Sequence, residues 1–211
     1  MILIGYLNFS LTLFAGIFLS CLVIITTNYF SLNKLQITSF ILLMLVSITC
    51  IYTNSISLIK IKSLQNSISK NVDDKEVNLS ADVFLTSYKI MIKSVKEKPF
   101  GYGFNNYNQA FVEHIHQTNY KHQLTPFLND KDASNNLVKI VTEMGIFSLI
   151  IFYFITFFLF SKKISLYFKL LIIPNFLVQT LFRGAGYFNG GYLICLLLII
   201  LLVYENELKK L

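Results

Sequence analysis

The chain has 211 residues, of which 55% are hydrophobic and 14% charged, and its mean hydropathy is +0.61. Soluble domains average about 25% charged residues, so this composition excludes an ordinary soluble domain, and it also excludes a disordered chain or a disulfide-rich secreted scaffold. The net charge of +7 is scattered over loops and helix ends. Without a basic stripe interleaved with aromatic residues, nucleic acid is not a predicted partner.

Apolar runs long enough to cross about 30 Å of hydrocarbon recur along the chain. They cover residues 2–27, 35–59, 144–160, 164–182 and 188–204. The first run lacks the basic start and small-residue cleavage site of a signal peptide, so we expect it to be retained. The sequence therefore predicts an all-α integral membrane protein with about five transmembrane helices.

The domain organisation follows from these runs. Residues 1–59 form two transmembrane helices, residues 60–139 one large polar loop, and residues 140–211 three transmembrane helices with a short glycine-rich outer loop at 184–191. The lysines of the short loops and of the tail indicate the cytoplasmic side, so the large loop is predicted to be extracytoplasmic. The lysines that flank the large loop argue the other way, but long loops translocate largely regardless of charge.

Within the large loop, large apolar residues recur at helical spacing and lysines share another face, which predicts an amphipathic helix. The apolar residues are Phe84, Tyr88, Met91 and Val95, and the lysines are Lys89, Lys93 and Lys96. Ser80 is the predicted cap and Pro99 the predicted stop. Two interpretations stay open: the lysines face lipid phosphates at a membrane interface, or the helix packs on the rest of the loop with its lysines in solvent.

A glycine cluster follows at residues 98–107 (KPFGYGFNNY). Its Gly101-Tyr-Gly103 pattern is not preceded by a strand and lacks the third glycine of a dinucleotide site, so we reject a Rossmann interpretation. Gly101 and Gly103 remain candidate substrate-binding residues, because glycine lets a backbone approach a ligand closely.

A polar cluster at residues 129–136 (NDKDASNN) leads into the next helix, with Asp132 or Ser134 as the predicted cap. Asn136, Lys139 and Glu143 then share a helix face. Glu143 is a candidate general base or a partner for an arginine, and the plainer alternative is an ordinary i, i+4 pair with Lys139.

Three histidines lie close together in the large loop: His114, His116 and His122. No zinc-type spacing and no cysteine or carboxylate pair accompanies them, so the sequence predicts no metal and no cofactor. His116 is kept as a candidate proton carrier. The cysteines all lie inside apolar runs, where they are expected to pack as small apolar residues.

Arg183 is the single arginine of the chain and stands where the fourth apolar run ends. Its planar fork grips phosphate bidentately, which lysine does not. Asn175 and Gln179 precede it at spacings of four, so the three residues predict a polar stripe along one helix face, lining a groove. The alternative is an arginine that snorkels to lipid head groups. Tyr187 lies in the glycine-rich loop that follows.

In their order, four segments resemble the C-terminal half of the O-antigen polymerase and O-antigen ligase superfamily. They are residues 98–107, 133–137 (ASNNL), 142–147 (TEMGIF) and 183–191 (RGAGYFNGG), and the resemblance extends over about 80–211. It implies an inverting, metal-independent glycosyltransferase at the outer face of the bacterial inner membrane. Such an enzyme transfers an undecaprenyl-diphosphate-linked glycan to an acceptor sugar hydroxyl.

The resemblance also implies roles for residues. The predicted substrate-binding residues are Arg183, Gln179, Asn175, Tyr187, Asn135, Asn136, Gly101 and Gly103. The candidates for the general base are Asp132, Glu143 and His116. Ligases carry a His-Asn pair where this chain has Ser134-Asn135-Asn136, which favours a polymerase over a ligase.

Alternatives remain. The chain has fewer spans than family members usually have, so we expect a missing N-terminal half or a polysaccharide-assembly partner. A non-catalytic membrane scaffold, or a truncated homologue without activity, fits the same sequence.

Overall fold

The computed structural model describes residues 11–28, 32–53, 58, 61–62, 65, 78–161, 164–182, 186 and 190–208. Every regular element in these ranges is helical, as the sequence predicts. The α-helices are α1 (Leu11–Asn28), α2 (Lys34–Thr53), α3 (Leu79–Glu97), α4 (Tyr107–His114), α5 (Asn136–Met144), α6 (Ser148–Phe160), α7 (Leu166–Leu177) and α8 (Gly190–Leu208). A π-helical turn, Val178–Phe182, follows α7.

Two helices are long and apolar enough to cross a membrane: Lys34–Thr53 and Asn136–Phe158. The apolar stretches Gly16–Thr26, Leu166–Phe182 and Tyr192–Leu202 are shorter. Each of the five predicted runs therefore contains helix, while the number of membrane crossings stays a prediction.

The described chain divides into two compact units. The first, the apolar unit, comprises Met1–Ser57, Ile151–Gln179 and Asn189–Leu211. Within it α1 packs on α2 and α7, and α7 packs on α8. Phe176 of α7 stacks on Tyr192 of α8, with ring centroids 5.4 Å apart. The α7 helix also carries a fully buried lysine, Lys169, which the sequence analysis did not single out.

The second unit, the polar unit, comprises Leu58–Ile150 and Thr180–Phe188. In it α3 packs on α4 and α5 around one apolar core. The core residues are Ile90, Tyr102, Tyr107, Ala110, Phe111, Ile115, Ala133 and Val138. The large loop of the sequence analysis is thus a folded unit with its own hydrophobic centre.

The helix α3 ends at Glu97, directly before Lys98 and Pro99, as predicted. Its cap was predicted wrongly: Asn78 caps it, and the Asn78 side chain accepts a hydrogen bond from the backbone N–H of Ala81 at 3.1 Å. Asparagine and serine are equally good caps, so the sequence alone does not decide between two neighbouring candidates.

The fully buried face of α3 differs from its row of large apolar residues, of which Tyr88 and Met91 pack against the core. The predicted apolar residues Phe84, Tyr88, Met91 and Val95 are only half-buried. The buried residues are Ala81, Asp82, Val83, Thr86, Ser87, Ile90 and Ser94. Small side chains on this face allow close helix packing, while the aromatic residues of α4 supply the bulk of the core.

The lysines of α3 hold the polar unit together. Lys89 Nζ donates to the carbonyl oxygen of Thr118 at 3.1 Å, and Lys93 Nζ donates to that of Gln117 at 2.7 Å. The helix packs on the rest of the loop, as one of the two interpretations expects, and two of its lysines bind loop carbonyls. That the lysines face lipid phosphates stays a prediction.

Candidate functional site

Two glycines face each other where α3 turns back towards α4 and where α5 ends. Gly101 and Gly145 both have positive φ, +84° and +52°. A Cβ atom on Gly101 would collide with the carbonyl oxygen of Glu143, and one on Gly145 would collide with that of Pro99. Only glycine fits positions that combine positive φ with such close backbone contact.

Backbone hydrogen bonds join the two segments. The N–H of Gly103 donates to the Glu143 carbonyl at 2.9 Å, and the N–H of Ile146 donates to the Pro99 carbonyl at 2.9 Å. The N–H of Tyr102 donates to the Thr142 carbonyl at 3.1 Å. We call this unit, residues 99–103 with 142–146, the glycine junction. It explains why the two motifs occur together: each supplies the glycine and the backbone groups that the other needs.

The Glu143 side chain completes the junction. Its Oε2 accepts from the backbone N–H of Asn105 at 2.8 Å, and its Oε1 accepts from that of Tyr107 at 3.0 Å. The carboxylate is fully buried and lies at the N-terminus of α4, where the helix dipole favours negative charge. Lys139 Nζ lies 4.0 Å from Oε1, which confirms the i, i+4 pair. This geometry suits a positioning residue better than a general base that exchanges protons with a substrate.

Asn135 ties three elements together. Its Oδ1 accepts from the N–H of Val138 at 2.9 Å, so Asn135, and neither Asp132 nor Ser134, caps α5. Its Nδ2 donates to the Tyr88 hydroxyl and to the Leu181 carbonyl, both at 3.2 Å. The side chain therefore fixes α5 to α3 and to the π-helical turn. The cap of α5 was predicted wrongly because its choice depends on hydrogen bonds to Tyr88 and Leu181, which are distant in the sequence.

Asn136 is buried, and its Oδ1 has no hydrogen-bond partner among the described residues. The Oγ atom of Ser134 is also buried and also has no hydrogen-bond partner among the residues that the structure describes. A buried polar atom without a partner costs about 1–3 kcal/mol, so natural proteins rarely keep one without a reason. Both atoms flank the cap of α5 and are suited to receive polar groups of a ligand.

Asp132 lies next to Gly186. Its Oδ1 accepts from Lys139 Nζ at 2.9 Å, and the same ammonium donates to the Lys131 carbonyl at 2.9 Å. Gly186, with φ of +81°, lies against this pair: a Cβ built on it would be 3.0 Å from Asp132 Oδ1 and 3.5 Å from Lys139 Nζ. Because Asp132 is half-exposed while Lys139 is buried, the carboxylate is the accessible member of the pair.

The polar stripe is observed in part. Gln179 Nε2 donates to Asn175 Oδ1 at 2.9 Å, and Asn175 Nδ2 lies 3.5 Å from Cys195 Sγ. The expected i, i+8 alignment with Arg183 assumed a continuous α-helix, and the π-helical turn from Val178 onward changes that register. Arg183 and Tyr187 themselves lie outside the described residues.

The histidines have different environments. His116 lies exposed on a 3-10 turn. His114 is buried, with Nε2 2.8 Å from the Tyr102 hydroxyl, and its Nδ1 has no hydrogen-bond partner in the described part of the chain. Burial, followed by a hydrogen bond to Glu113, raises the pKa of Tyr102 to about 12. The same hydrogen bond lowers the pKa of Glu113.

One group of possible metal ligands was not expected from the sequence. Glu97, Glu113 and His114 place one ligand atom each within 4.8 Å of one another. The ends of α3 and α4 bring them together, although the sequence separates them. Lys98 already provides positive charge there, because its Nζ lies 3.3 Å from Glu113 Oε2 and 3.8 Å from the centroid of the Tyr102 ring. The group is therefore an ion-pair cluster.

Asp82 is a further buried acid that the sequence analysis missed. Its Oδ2 accepts from the backbone N–H groups of Lys121 and His122, at 3.0 and 2.9 Å, and from Thr125 Oγ1 at 2.7 Å. The only sequence signal was an acidic residue in the first turn of α3, which usually serves the helix dipole. Here the carboxylate organises the loop that follows α4.

A family model described as O-Antigen ligase matches residues 1–153. The chain belongs to the O-antigen ligase family. The match confirms the resemblance for the glycine junction and α5, adds the two N-terminal helices, and ends before the segment that carries Arg183. No curated protein and no solved structure matches the chain.

Family membership fixes the broad role of the protein. Members of the O-antigen ligase family are membrane proteins of envelope polysaccharide assembly that act on lipid-linked glycans. The glycine junction, the buried Glu143 and the cap Asn135 all lie within the matched region.

Proposed function

We propose that this protein is a polymerase-type glycosyltransferase at the extracytoplasmic face of the bacterial inner membrane. It transfers an undecaprenyl-diphosphate-linked oligosaccharide to the hydroxyl of an acceptor sugar. The observation that supports this most is the contact of Gly186 with the Asp132–Lys139 pair. Gly186 lies three residues after Arg183 in the sequence, and Asp132 is an accessible carboxylate four residues before α5.

The chemistry requires few groups. The acceptor oxygen attacks the anomeric carbon and forms the new glycosidic bond, while the bond from that carbon to the diphosphate oxygen breaks. The departing undecaprenyl diphosphate keeps the electron pair, and the hydroxyl proton passes to a protein carboxylate. A cation for the leaving group and a base for the acceptor are sufficient, and the proposal includes no metal and no cofactor.

We assign the base to Asp132. It is half-exposed, and Lys139 Nζ holds its Oδ1 at 2.9 Å, which fixes the orientation of the carboxylate. Arg183 is the proposed cation for the diphosphate, with Asn175, Gln179 and Tyr187 as further predicted contacts. His116 remains a less favoured candidate for the base, because no described group orients it.

The acceptor sugar has a proposed binding site at the start of α5. We propose that its hydroxyl groups bind Asn136 Oδ1 and Ser134 Oγ, which are covered in the absence of the sugar and have no hydrogen-bond partner in the described part of the chain. Asn135, Glu143, Gly101 and Gly103 hold this site in place through their backbone and capping hydrogen bonds.

The segment Ser134-Asn135-Asn136 is the reason for preferring a polymerase. Ligases of the superfamily carry a His-Asn pair there, and neither serine nor asparagine is a base near neutral pH. A ligase remains the second candidate, because the matching family model carries that description. The two differ in acceptor: a growing glycan for the polymerase, and the core sugar of the lipid anchor for the ligase.

The test uses the full chain in native membranes, with any partner encoded beside it. Radiolabelled lipid-linked repeat units are added, and the products are separated by length and by anchor. We expect Asp132→Asn and Arg183→Lys to abolish long products, while both variants insert normally. Asp130→Asn is the matched control, because it removes the same charge two residues away, where Asp130 binds Asn108.

Each result has a definite meaning. Loss of long glycans in the two variants, with retention in the control, supports the polymerase. Short products transferred to the lipid anchor would identify a ligase. Full activity of both variants would contradict the proposed site and favour a non-catalytic scaffold.

A further inference from the structure

Beside the glycine junction, the polar unit exposes apolar side chains that a water-facing surface would not present together. Phe100, Ile146, Phe147, Leu149 and Ile150 form this group, which we call the apolar rim. Phe100 is 69% exposed and Phe147 is 52% exposed. We propose that the apolar rim is inserted in the lipid bilayer, so that the polar unit rests on the membrane through it.

The rim is a defined surface with fixed geometry. The rings of Phe100 and Phe147 lie 6.0 Å apart and are tilted by 36°. They come from different segments, and the hydrogen bond from Ile146 N–H to the Pro99 carbonyl holds these segments together. The glycine junction thus holds the two rings side by side.

The length of α6 identifies lipid as the partner. It has 13 residues, which span only about 20 Å, whereas the hydrocarbon core of a bilayer is about 30 Å thick. The apolar helix Asn136–Phe158 is long enough, but its first half carries the buried Asn136, Lys139 and Glu143. If this helix crosses the membrane, the missing apolar surface on the outer side has to come from residues before Ser148. Phe100, Ile146 and Phe147 of the apolar rim provide it.

The charged residues around Phe100 also fit a location at the membrane interface. Lys96 and Lys98 lie within four residues of it and are exposed or half-exposed. Lysines beside aromatic residues are typical of a membrane interface, where the ammonium groups reach the lipid phosphates and the rings lie just below.

Insertion of the rim has a consequence for the proposed transferase, and this step rests on the proposed function. Glu143 and the rest of the glycine junction would lie at the depth of the lipid head groups, because Phe100 and Ile146 belong to both the junction and the rim. The diphosphate of a lipid-linked glycan lies at that depth too. The rim would therefore set the height of the site relative to its substrate.

The chain contains no tryptophan, so single tryptophans report on single positions. We would prepare Phe100→Trp, Phe147→Trp and Phe127→Trp variants of the full chain in phosphatidylcholine vesicles. Phe127 is the matched control: it is 77% exposed, and it follows Thr125, which binds Asp82 in the first turn of α3. Phe100 follows the other end of α3, which is about 28 Å away along the helix.

We expect lipids brominated on their acyl chains to remove roughly half of the emission from positions 100 and 147, with little effect at position 127. Aqueous acrylamide should show the opposite order. Equal quenching by brominated lipid at positions 100 and 127 would overturn the proposal.

A second measurement tests the proposal if the tryptophan variants misfold. A benzoylphenylalanine introduced at position 100 should cross-link to lipid on illumination, and one at position 127 should not. Absence of lipid cross-links at position 100 in a folded, inserted chain would likewise overturn the proposal. Transferase activity is not part of either readout, so failure of the proposed function leaves this test valid.

Discussion

The backbone N–H of Gly101 occupies the space that a side chain on Gly145 would need, with only 2.5 Å between the Gly101 nitrogen and a Cβ built on Gly145. The two glycines come from segments more than forty residues apart. Their contact fixes the turn before α4 to the end of α5, and through it the position of Glu143. The fold of the polar unit depends on this one close approach.

Gly101→Ala is expected to destabilise the protein strongly. The left-handed conformation costs a non-glycine residue about 1–2 kcal/mol, and the collision with the Glu143 carbonyl adds to this because backbone cannot move aside. Thermal unfolding in detergent measures the loss. Gly103→Ala is the control: its φ is also positive, but its Cβ would lie 3.2 Å from the Asn106 side chain, which can rotate away. Equal loss in both variants would contradict the importance of the junction.

Glu143→Gln is expected to lower the free energy of unfolding by about 1–3 kcal/mol. The amide keeps one acceptor, but its NH₂ group faces a backbone donor, so one buried N–H of Asn105 or Tyr107 loses its partner. Denaturant unfolding followed by circular dichroism measures this. Glu113→Gln serves for comparison, because Glu113 is half-exposed and water screens its ion pair with Lys98, so that its loss should change the free energy of unfolding little. A stable Glu143→Gln variant with altered activity would instead indicate a catalytic carboxylate.

Substitutions of two neighbouring asparagines distinguish an effect on stability from an effect on substrate binding. Asn135→Ala removes the cap of α5 and two further hydrogen bonds, so we expect it to cost about 2 kcal/mol or more. Asn136→Ala removes a buried oxygen that has no partner in the described chain, so its effect on unfolding should be smaller. If the proposed acceptor site is correct, Asn136→Ala should instead raise the KM for the acceptor glycan. The opposite order of stabilities would show that Asn136, not Asn135, anchors α5.

The sequence predicted the features that depend on local pattern. The all-helical architecture, the end of α3 before Pro99 and the Lys139–Glu143 pair follow from periodicity, proline chemistry and helical spacing. It also identified the right motifs, since the glycine cluster and the segment around Glu143 meet in the glycine junction.

The sequence did not predict what depends on contacts across long separations. Asp82 binds a loop about forty residues away, and Asn135 caps α5 while also binding Tyr88 and Leu181. The buried face of α3 consists mostly of small side chains because α4 fills the core, and no property of the α3 sequence alone shows this. A pattern shows which groups are present, but packing decides which of them meet.

Tyr102 gives a prediction at alkaline pH. Its pKa is raised from 10.0 to about 12 in the folded protein, because the hydroxyl is buried and bonded to Glu113. The folded protein thus holds this proton more tightly than the unfolded chain, so the stabilisation is complete below pH 10 and is lost as pH rises towards 12. Tyr102→Phe removes this contribution. We expect its Tm to fall less steeply than that of the wild type over this pH range.

The remaining tyrosines titrate in both proteins, so the difference between the two Tm profiles isolates Tyr102. The variant should also start from a lower Tm at neutral pH, because His114 Nε2 loses its partner 2.8 Å away. Glu113 has an effect in the acid range instead. Because its pKa is lowered in the folded protein, the stability that it contributes is lost as pH falls through that pKa. Parallel Tm profiles at alkaline pH would mean that the Tyr102 hydroxyl ionises as freely in the folded protein as in the unfolded chain, contrary to its position between His114 and Glu113.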